Sequence, residues 1–323
     1  MAESPDAHEL VVWTDRAHER LIEATLAALG SGWRILGVAG PAASPPDRLA
    51  TNAGLRCLDD LRSLVIDHPA RVALISSSDT PTLDELDEAT ERCDVVVLTE
   101  SLASDLASCT DHKKRLGPRL DRILYAPRFS ECPGMLAATE PTSVLGEPRM
   151  VTCEICLARC ETRLATGLFH AWQSVLESQE MPEEVSASLV GGQVEPANQI
   201  RGSLAIAGRL AGAGSSLIAV SDQTGRWERR MRMIGPDGSL EVTDDGYRLL
   251  DADGSIMDRA GEPESRRTQA DLIAHQLARL VEGPGYGQGG SDSVERVTAC
   301  CEATILSLRT GQSESPAKLL QLR

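Results

Sequence analysis

Residues 9–29, with the sequence ELVVWTDRAHERLIEATLAAL, decide the predicted fold. The segment predicts an apolar strand from Leu10 to Trp13, a short polar turn and then an amphipathic helix, because apolar side chains recur there at helical spacing. In an α/β protein, a strand, a turn and a helix near the start of the chain form the usual place of a dinucleotide-binding turn. The glycines of such a turn are missing here, so the sequence first raises the question of whether a nucleotide binds.

Strands and helices alternate through residues 1–126, at intervals of about 20–30 residues. Apolar strands are predicted at residues 33–39, 71–76, 93–98 and 123–125. Helices are predicted at residues 47–53, 58–66 and 82–92. Because such alternation is typical of βαβ units, the sequence predicts a Rossmann-like α/β domain with a doubly wound parallel sheet.

The pattern changes in residues 127–323, where strands follow one another with short turns between them. Strands are predicted at residues 149–157, 185–190, 203–207, 216–220, 228–234, 239–242 and 247–250. Helices are predicted at residues 168–177, 271–282 and 293–309, a flexible loop at 283–290 and a hairpin turn at 251–254. Successive strands with short turns indicate an α+β domain with an open, largely antiparallel sheet and helices on one face.

The composition narrows the class of protein. The chain has 323 residues, a net charge of −16 and an isoelectric point near 4.9, which argues against nucleic acid and anionic membranes as partners. Aromatic residues make up only 3 %, so a site that stacks bases or sugars on aromatic rings is poorly supplied. No apolar run reaches the ~18–20 residues of a membrane span, and the acidic start lacks a secretory signal. We therefore expect a cytoplasmic protein with reduced cysteines.

Several short motifs occur in a recognisable order. Arg128 and Phe129 precede LGEP at residues 145–148, and GLFH at 167–170 and IGPDGSL at 234–240 follow. With the first strand-turn-helix unit and the closing segment ATILSLRTGQSESP, this order resembles the Gfo/Idh/MocA oxidoreductase family, the relatives of glucose-fructose oxidoreductase and inositol dehydrogenase. The resemblance implies a nucleotide-binding Rossmann domain, NAD or NADP as cofactor, a sugar-like or polyol substrate, and oligomers formed through the open sheet of the second domain.

The nucleotide-binding residues that the resemblance implies are replaced in this chain. The three glycines of G-x-G-x-x-G, which let the backbone approach the pyrophosphate, correspond to Trp13, Asp15 and His18. A carboxylate near a helix start is itself favourable by about 0.3–1 kcal/mol, so Asp15 is predicted to occupy the anion site with its own charge. The acidic residue that holds the adenosine ribose corresponds to Gly40.

The catalytic residues that the resemblance implies are mostly absent as well. The family's Glu-Lys-Pro motif corresponds to LTESLA at residues 98–103, which contains no lysine. Two further aspartates correspond to Thr166 and Gln173, and the family's histidine remains as His170. His170 is therefore the candidate catalytic residue for proton transfer. The alternative is a structural histidine on a helix face, packed beside Phe169 and Trp172.

The candidate cofactor-binding residues lie in the polar loops that follow the first strand and the strand at 71–76. They are Thr14, Asp15, Arg16, Ser76 and Ser78. Ligands of α/β folds gather where parallel strands end. The alternative interpretation is an ordinary polar loop at a strand end.

Three cysteines invite a metal-site interpretation. Cys153, Cys156 and Cys160 have C-x2-C-x3-C spacing. On a strand, however, Cys153 and Cys156 point to opposite faces, and no fourth ligand is close in sequence. No metal is therefore expected.

Two functions of different class remain open. One is an NAD(P)-dependent oxidoreductase that acts through His170. The other is a relative that has lost the cofactor and the dehydrogenase chemistry and serves as a binding or partner subunit, in a homo- or hetero-oligomer, with a small sugar-like molecule as candidate ligand. The chemistry of the replaced residues favours the second, for which no cofactor is expected. Whether the chain is an enzyme stays open at this point.

Overall fold

The computed structural model describes residues 7–103, 105–158, 163–192, 200–261, 266–282 and 291–322. The chain divides into two compact units. Unit 1 comprises Met1–Leu102, Thr110–Pro127 and Gln269–Ser291, and unit 2 comprises Ala103–Cys109, Arg128–Thr268 and Asp292–Arg323. The boundary that the sequence suggests at residue 126 stays a prediction.

Unit 1 is built on a six-stranded parallel sheet. Its strands are β1 (His8–Thr14), β2 (Trp33–Ala39), β3 (Cys57–Leu58), β4 (Val72–Ser76), β5 (Val95–Leu98) and β6 (Ile123–Tyr125). Its helices are α1 (Glu19–Leu29), α2 (Asp47–Ala53), α3 (Leu61–Asp67), α4 (Leu83–Arg92) and α9 (Gln269–Glu282), while α5 (Leu106–Leu116) contributes residues to both units. The strand order β3-β2-β1-β4-β5-β6, with parallel pairing throughout, confirms the predicted doubly wound sheet.

The central strand β1 is buried on both faces. Leu10 and Val12 are inaccessible to solvent and belong to one apolar cluster with Ile22 of α1 and Leu277 of α9. A strand covered by helices on both sides carries a continuous apolar run instead of an alternating one, which is the pattern that predicts this strand. Because this burial holds β1 in place, the polar residues at its carboxyl end are also held in place at the edge of the sheet.

Two local features of unit 1 differ from the sequence prediction. The helix predicted at residues 58–66 is in fact β3 followed by α3. The helix begins later because the side chain of Asp60 accepts hydrogen bonds from the backbone N–H groups of Arg62 and Ser63. The sequence pattern also fails to indicate α5, because its segment LASCTDHKKRL is rich in polar residues.

Unit 2 contains an eight-stranded sheet. Its strands are β7 (Met150–Ala158), β8 (Glu184–Val190), β9 (Ser203–Arg209), β10 (Ser215–Thr224), β11 (Glu228–Gly235), β12 (Gly238–Thr243), β13 (Tyr247–Asp251) and β14 (Ile256–Ala260). In the order β14-β13-β12-β11-β7-β10-β9-β8, β7 and β10 pair in parallel and the other neighbours are antiparallel. The predicted open, largely antiparallel sheet is confirmed. The exposed edge strand β14 is an additional strand that the sequence pattern did not predict.

Helices cover one face of this sheet. The helices of unit 2 are α6 (Pro133–Ala137), α7 (Thr139–Leu145), α8 (Leu164–Ser178), α10 (Ser291–Thr310) and α11 (Pro316–Gln321). α8 packs on β7 and β10 so closely that a Cβ atom at Gly167 would lie 2.7 Å from side-chain atoms of Leu157 and Val220. Buried and accessible residues alternate along β7, as expected for a sheet with one covered face.

Two sequence predictions fall outside the described residues, namely the loop at 283–290 and Cys160. The predicted turn at residues 251–254 is confirmed, since Asp251 Oδ1 accepts hydrogen bonds from the N–H groups of Asp253 and Ser255. Within the part of the chain that the structure describes, no helix is long and apolar enough to cross a membrane.

Candidate functional site

The candidate site lies at the carboxyl ends of β1, β4 and β5 in unit 1. The strand order reverses between β1 and β4, which makes this edge the topological switch point of the sheet, where doubly wound folds bind ligands. The loop after β1 carries Asp15 and His18, and the loop after β4 carries Ser77 and Ser78. The segment after β5 carries Glu100. We call these five residues the strand-end site.

Asp15 connects the loops that follow β1 and β4. The residue is only 1 % exposed. Its Oδ2 accepts hydrogen bonds from the N–H and the hydroxyl of Ser78, at 2.7 and 2.6 Å, and from the hydroxyl of Ser77 at 3.1 Å. Its Oδ1 accepts a hydrogen bond from the backbone N–H of His18 at 3.0 Å and lies 2.7 Å from Nδ1 of the His18 ring. Both carboxylate oxygens are therefore used inside the protein.

His18 lies between two carboxylates. Besides the contact with Asp15, its Nε2 lies 3.3 Å from Oε1 of Glu100, and the residue is 4 % exposed. Burial by itself would lower the pKa of His18, but the hydrogen bonds and charges of Asp15 and Glu100 raise it to about 9. The imidazole is therefore positively charged at neutral pH and donates from both ring nitrogens.

Asp15 remains ionised in spite of its burial. Burial raises the pKa of Asp15, but the hydrogen bond and charge of His18, together with the hydrogen bonds from Ser78, outweigh that effect and hold the pKa well below its usual range. Asp15 and His18 thus form a buried ion pair. Each charge is compensated by the protein itself, without an external ligand.

Hydroxyl groups near the ion pair are also hydrogen-bonded within the protein. Oγ1 of Thr14 donates to the carbonyl of Ser76 at 2.6 Å, and Oγ1 of Thr99 donates to Oγ of Ser76 at 2.7 Å. All three residues are buried. These bonds link the ends of β1, β4 and β5 to one another, so the hydroxyl groups stabilise the sheet.

Gly40 follows β2 and leaves no space for a side chain. A Cβ atom at this position would lie 2.0 Å from the carbonyl oxygen of Thr14 and 2.6 Å from Cδ of Pro46. The loop that contains Pro46 also contacts the first turn, because the N–H of Arg16 donates to the carbonyl of Ser44 at 3.2 Å. An acidic residue at position 40, such as the one that holds a ribose, would therefore require the loop to move.

The residues at the switch point do not fit the pyrophosphate of NAD or NADP. A pyrophosphate binds to free backbone N–H groups at a helix start, with close backbone approach and no competing negative charge. Here the N–H of His18 already donates to Asp15, whose carboxylate carries the negative charge. Trp13, which the resemblance places at the first glycine of the motif, is buried.

The structure brings together most of the predicted cofactor-binding residues. Those that meet at the ends of β1 and β4 are Thr14, Asp15, Ser76 and Ser78. Arg16 is exposed instead, with its guanidinium 3.8 Å from the carboxylate of Asp47. Ser77 belongs to the polar strand end that the sequence already indicates. Sequence reasoning did not single out Thr99 or Glu100 as site residues, although they are the first two residues after the strand predicted at 93–98, which is the signal that could have found them.

His170 lies in unit 2, in the second turn of α8. The residue is 1 % exposed, and its ring stands edge-on to the ring of Phe169 with the centroids 6.0 Å apart. Its backbone carbonyl accepts a hydrogen bond from the hydroxyl of Ser174 at 2.8 Å. This environment is that of a histidine packed in a helix face. A role in proton transfer stays a proposal.

The cysteines of β7 lie on opposite faces of the strand. Cys153 is buried and Cys156 is half-buried on the other side, while Cys160 lies outside the described residues. Among the residues that are described, no three His, Cys, Asp or Glu side chains are grouped as metal ligands.

The fold is similar to that of several solved oxidoreductase structures. A myo-inositol dehydrogenase from Corynebacterium glutamicum is 14 % identical, with a TM-score of 0.69 over 96 % of this chain and 98 % of that one. An oxidoreductase from Agrobacterium radiobacter, in complex with NAD+, L-tartaric acid and magnesium, is 13 % identical, with a TM-score of 0.71 over 97 % and 99 % of the chains. GenD2 from gentamicin A biosynthesis, in complex with NAD, is 13 % identical, with a TM-score of 0.68 over 98 % of each chain. No protein-family model and no curated protein matches the sequence. At these identities the similarity shows a shared fold.

Proposed function

We propose that this chain, which has the two-part fold of the Gfo/Idh/MocA-type oxidoreductases, does not bind NAD or NADP at its switch point and serves as a binding or partner subunit. The observation that carries the proposal is the carboxylate of Asp15, which accepts the N–H of His18 just before α1 and the N–H of Ser78 after β4. A protein anion thus stands where the phosphates of a dinucleotide would bind.

The energy of the ion pair supports this proposal. A pyrophosphate could reach the start of α1 only if Asp15 moved away, which would break its bonds to Ser77, Ser78 and His18. Breaking a buried ion pair typically costs about 3–5 kcal/mol. A cost of that size would lower cofactor affinity by roughly two to four orders of magnitude. Even a strong dinucleotide site would become a weak one.

The second candidate function is an NAD(P)-dependent oxidoreductase acting on a sugar or polyol through His170. It is favoured by the shared fold, since two of the similar solved structures contain NAD. The burial of His170 weighs against it, because a catalytic base must come within hydrogen-bond reach of its substrate. If a cofactor binds, His170→Ala should abolish turnover of any substrate that is found, and unchanged turnover would exclude His170 from the reaction.

The partner surface that we propose is the open face of the sheet in unit 2, and the partner is a second copy of the chain. This face presents small apolar side chains: Ala205 and Ala207 of β9 and Ala219 of β10 are exposed, and Leu217 is 45 % exposed. Flat apolar faces of this kind suit pairing of sheets. Leu217→Lys should shift the protein from dimer to monomer in sedimentation, whereas Ile66→Lys, at a similarly exposed residue of unit 1, should not. A wild-type protein that is monomeric at micromolar concentration would contradict this proposal.

The test of the main proposal is a titration of the wild-type protein with NADH and NADPH, followed by nicotinamide fluorescence and calorimetry. We expect no saturable binding below about 1 mM, because binding must overcome the ion pair of Asp15 and His18. Saturable binding of either cofactor in the micromolar range would contradict the proposal. It would also make the oxidoreductase the better hypothesis.

A further inference from the structure

A second polar region lies in unit 2, in a cavity of about 750 Å³. That volume is in the range of sites for small molecules. The cavity is lined by the last turn of α8 and the two residues that follow it, by the segment before β7, by the connection between β9 and β10, by the turn between β11 and β12 and by α10. We call it the unit 2 cavity.

Gln179, the residue that follows α8, has an unsatisfied amide in the unit 2 cavity. The side-chain nitrogen and oxygen are both buried, and neither has a hydrogen-bond partner among the described residues. Its backbone is fixed, because its N–H donates to the carbonyl of Val175 at 3.0 Å. A buried amide without partners is unfavourable, so the side chain is suited to a ligand that both donates and accepts hydrogen bonds.

Two arginines that line the unit 2 cavity are accessible to a ligand, since Arg149 is exposed and Arg296 is half-buried. Across the described ranges of the chain, neither Arg149 nor Arg296 makes a side-chain hydrogen bond or an ion pair. Arg149 is held firmly between two strands, since its N–H donates to the carbonyl of Ile234 at 2.8 Å and its carbonyl accepts from Ser215 at 3.0 Å. A guanidinium on such a rigid base is suited to binding a carboxylate.

The unit 2 cavity also contains anions without partners. In the described parts of the chain, the side chains of Glu147 and Glu180 form no ion pair, whereas a third acid, Glu177, is paired with Arg128 at 2.6 Å. The available charges of the cavity are therefore two guanidinium and two carboxylate groups. A ligand that carries one positive and one negative group complements both kinds of charge at once.

We propose that the unit 2 cavity binds an α-amino acid. The carboxylate of the ligand pairs with Arg149, and its ammonium group pairs with Glu147 or Glu180. The amide of Gln179 completes the site with a donor and an acceptor. This inference is independent of whether unit 1 binds a dinucleotide.

The experiment is a titration of the full chain, without nicotinamide cofactor, with a panel of the standard L-α-amino acids by thermal shift and calorimetry. We expect at least one of them to bind with a Kd of about 1 mM or tighter. Arg149→Gln and Gln179→Leu should each weaken that binding about tenfold or more, since each removes a direct hydrogen bond to the ligand. Circular dichroism of each variant shows whether it is folded.

The matched control is Arg56→Gln, which removes an exposed arginine outside the cavity and should leave binding unchanged. A second test uses the carboxylic acid that corresponds to the bound amino acid but lacks the amino group. That acid should bind at least tenfold more weakly. Three outcomes would overturn the proposal: no amino acid binds at about 10 mM, folded Arg149→Gln and Gln179→Leu variants bind as the wild type does, or the acid without the amino group binds equally well.

Discussion

The strand-end site of unit 1 and the unit 2 cavity both collect charged side chains, but they differ in how those charges are satisfied. In the strand-end site, Asp15 and His18 compensate each other and are almost fully buried. In the unit 2 cavity, Arg149 and the amide of Gln179 have no partners within the described residues. Because buried polar groups must be hydrogen-bonded, the first site is complete as it stands, whereas the buried amide of Gln179 in the second needs a partner that the described residues do not supply.

This difference bears on how function is inferred from a fold. The switch point is the position where a doubly wound sheet usually binds its ligand, and the similar structures in complex with NAD share that fold. Yet the groups at the switch point of this chain are already bonded to one another. The position of a site in a fold raises the expectation of a ligand, and the bonding of its residues decides whether the ligand has anything to bind.

The largest expected effect is a difference in the free energy of unfolding between a variant of the strand-end site and a variant of the unit 2 cavity. Asp15→Ala should lower the free energy of unfolding by about 3–5 kcal/mol, because it leaves the charge of His18 buried beside Glu100 with half of its compensation lost. Arg149→Gln in the unit 2 cavity should change it by less than about 0.5 kcal/mol, since no ion pair is lost. Urea unfolding of both variants measures the difference. Equal effects would show that the two regions are not distinguished by internal bonding.

The next effect is the pH dependence of the stability that the strand-end site contributes. The pKa of His18 is raised in the folded protein from 6.5 to about 9, so its stabilisation is fully present below about pH 6.5 and is lost as the pH rises through about 9. The loss should amount to at most about 3 kcal/mol. Urea unfolding between about pH 6 and pH 10 should show this decline in the wild type and not in His18→Gln. The same decline in both proteins would contradict the assignment.

The smallest of these effects concerns Gly40. Gly40→Ala should destabilise the protein by about 1–3 kcal/mol, because its Cβ would collide with the carbonyl of Thr14 and the ring of Pro46. Gly32→Ala is the matched control, since no atom lies within 4 Å of the Cβ position there. Thermal unfolding compares the two. A Gly40→Ala protein as stable as the control would mean that the loop yields easily and that position 40 could hold an acidic residue.

The sequence predicted the architecture well because local patterns determine it. The continuous apolar runs of β1 and β4, and the spacing of strands and helices, are sufficient for a parallel sheet. The hydrogen-bond partners of Asp15 and His18, in contrast, could not be predicted from local patterns. Ser78 lies 63 residues from Asp15, and Glu100 lies 82 residues from His18, so only the folded sheet brings them together.

The unit 2 cavity could not be found from the sequence for a related reason. Arg149 and Gln179 look like ordinary surface residues when read along the chain. The significance of Gln179 comes from the burial of its amide without partners, and that of the exposed Arg149 comes from its position in the lining of the same cavity, and both are properties of the packed structure. A pattern of residue types predicts which groups a site contains, but it does not predict which of them remain available to a ligand.

The most direct test of the central claim compares wild-type protein with Asp15→Gly in a calorimetric titration with NADH. The variant removes the carboxylate and places a glycine where the resemblance aligns the second glycine of the motif, while the charge of His18 remains beside the helix start. We predict that the folded variant binds NADH at least tenfold more tightly than the wild type, which should show no saturable binding below about 1 mM. Micromolar binding by the wild type, or weaker binding by the variant, would contradict the account.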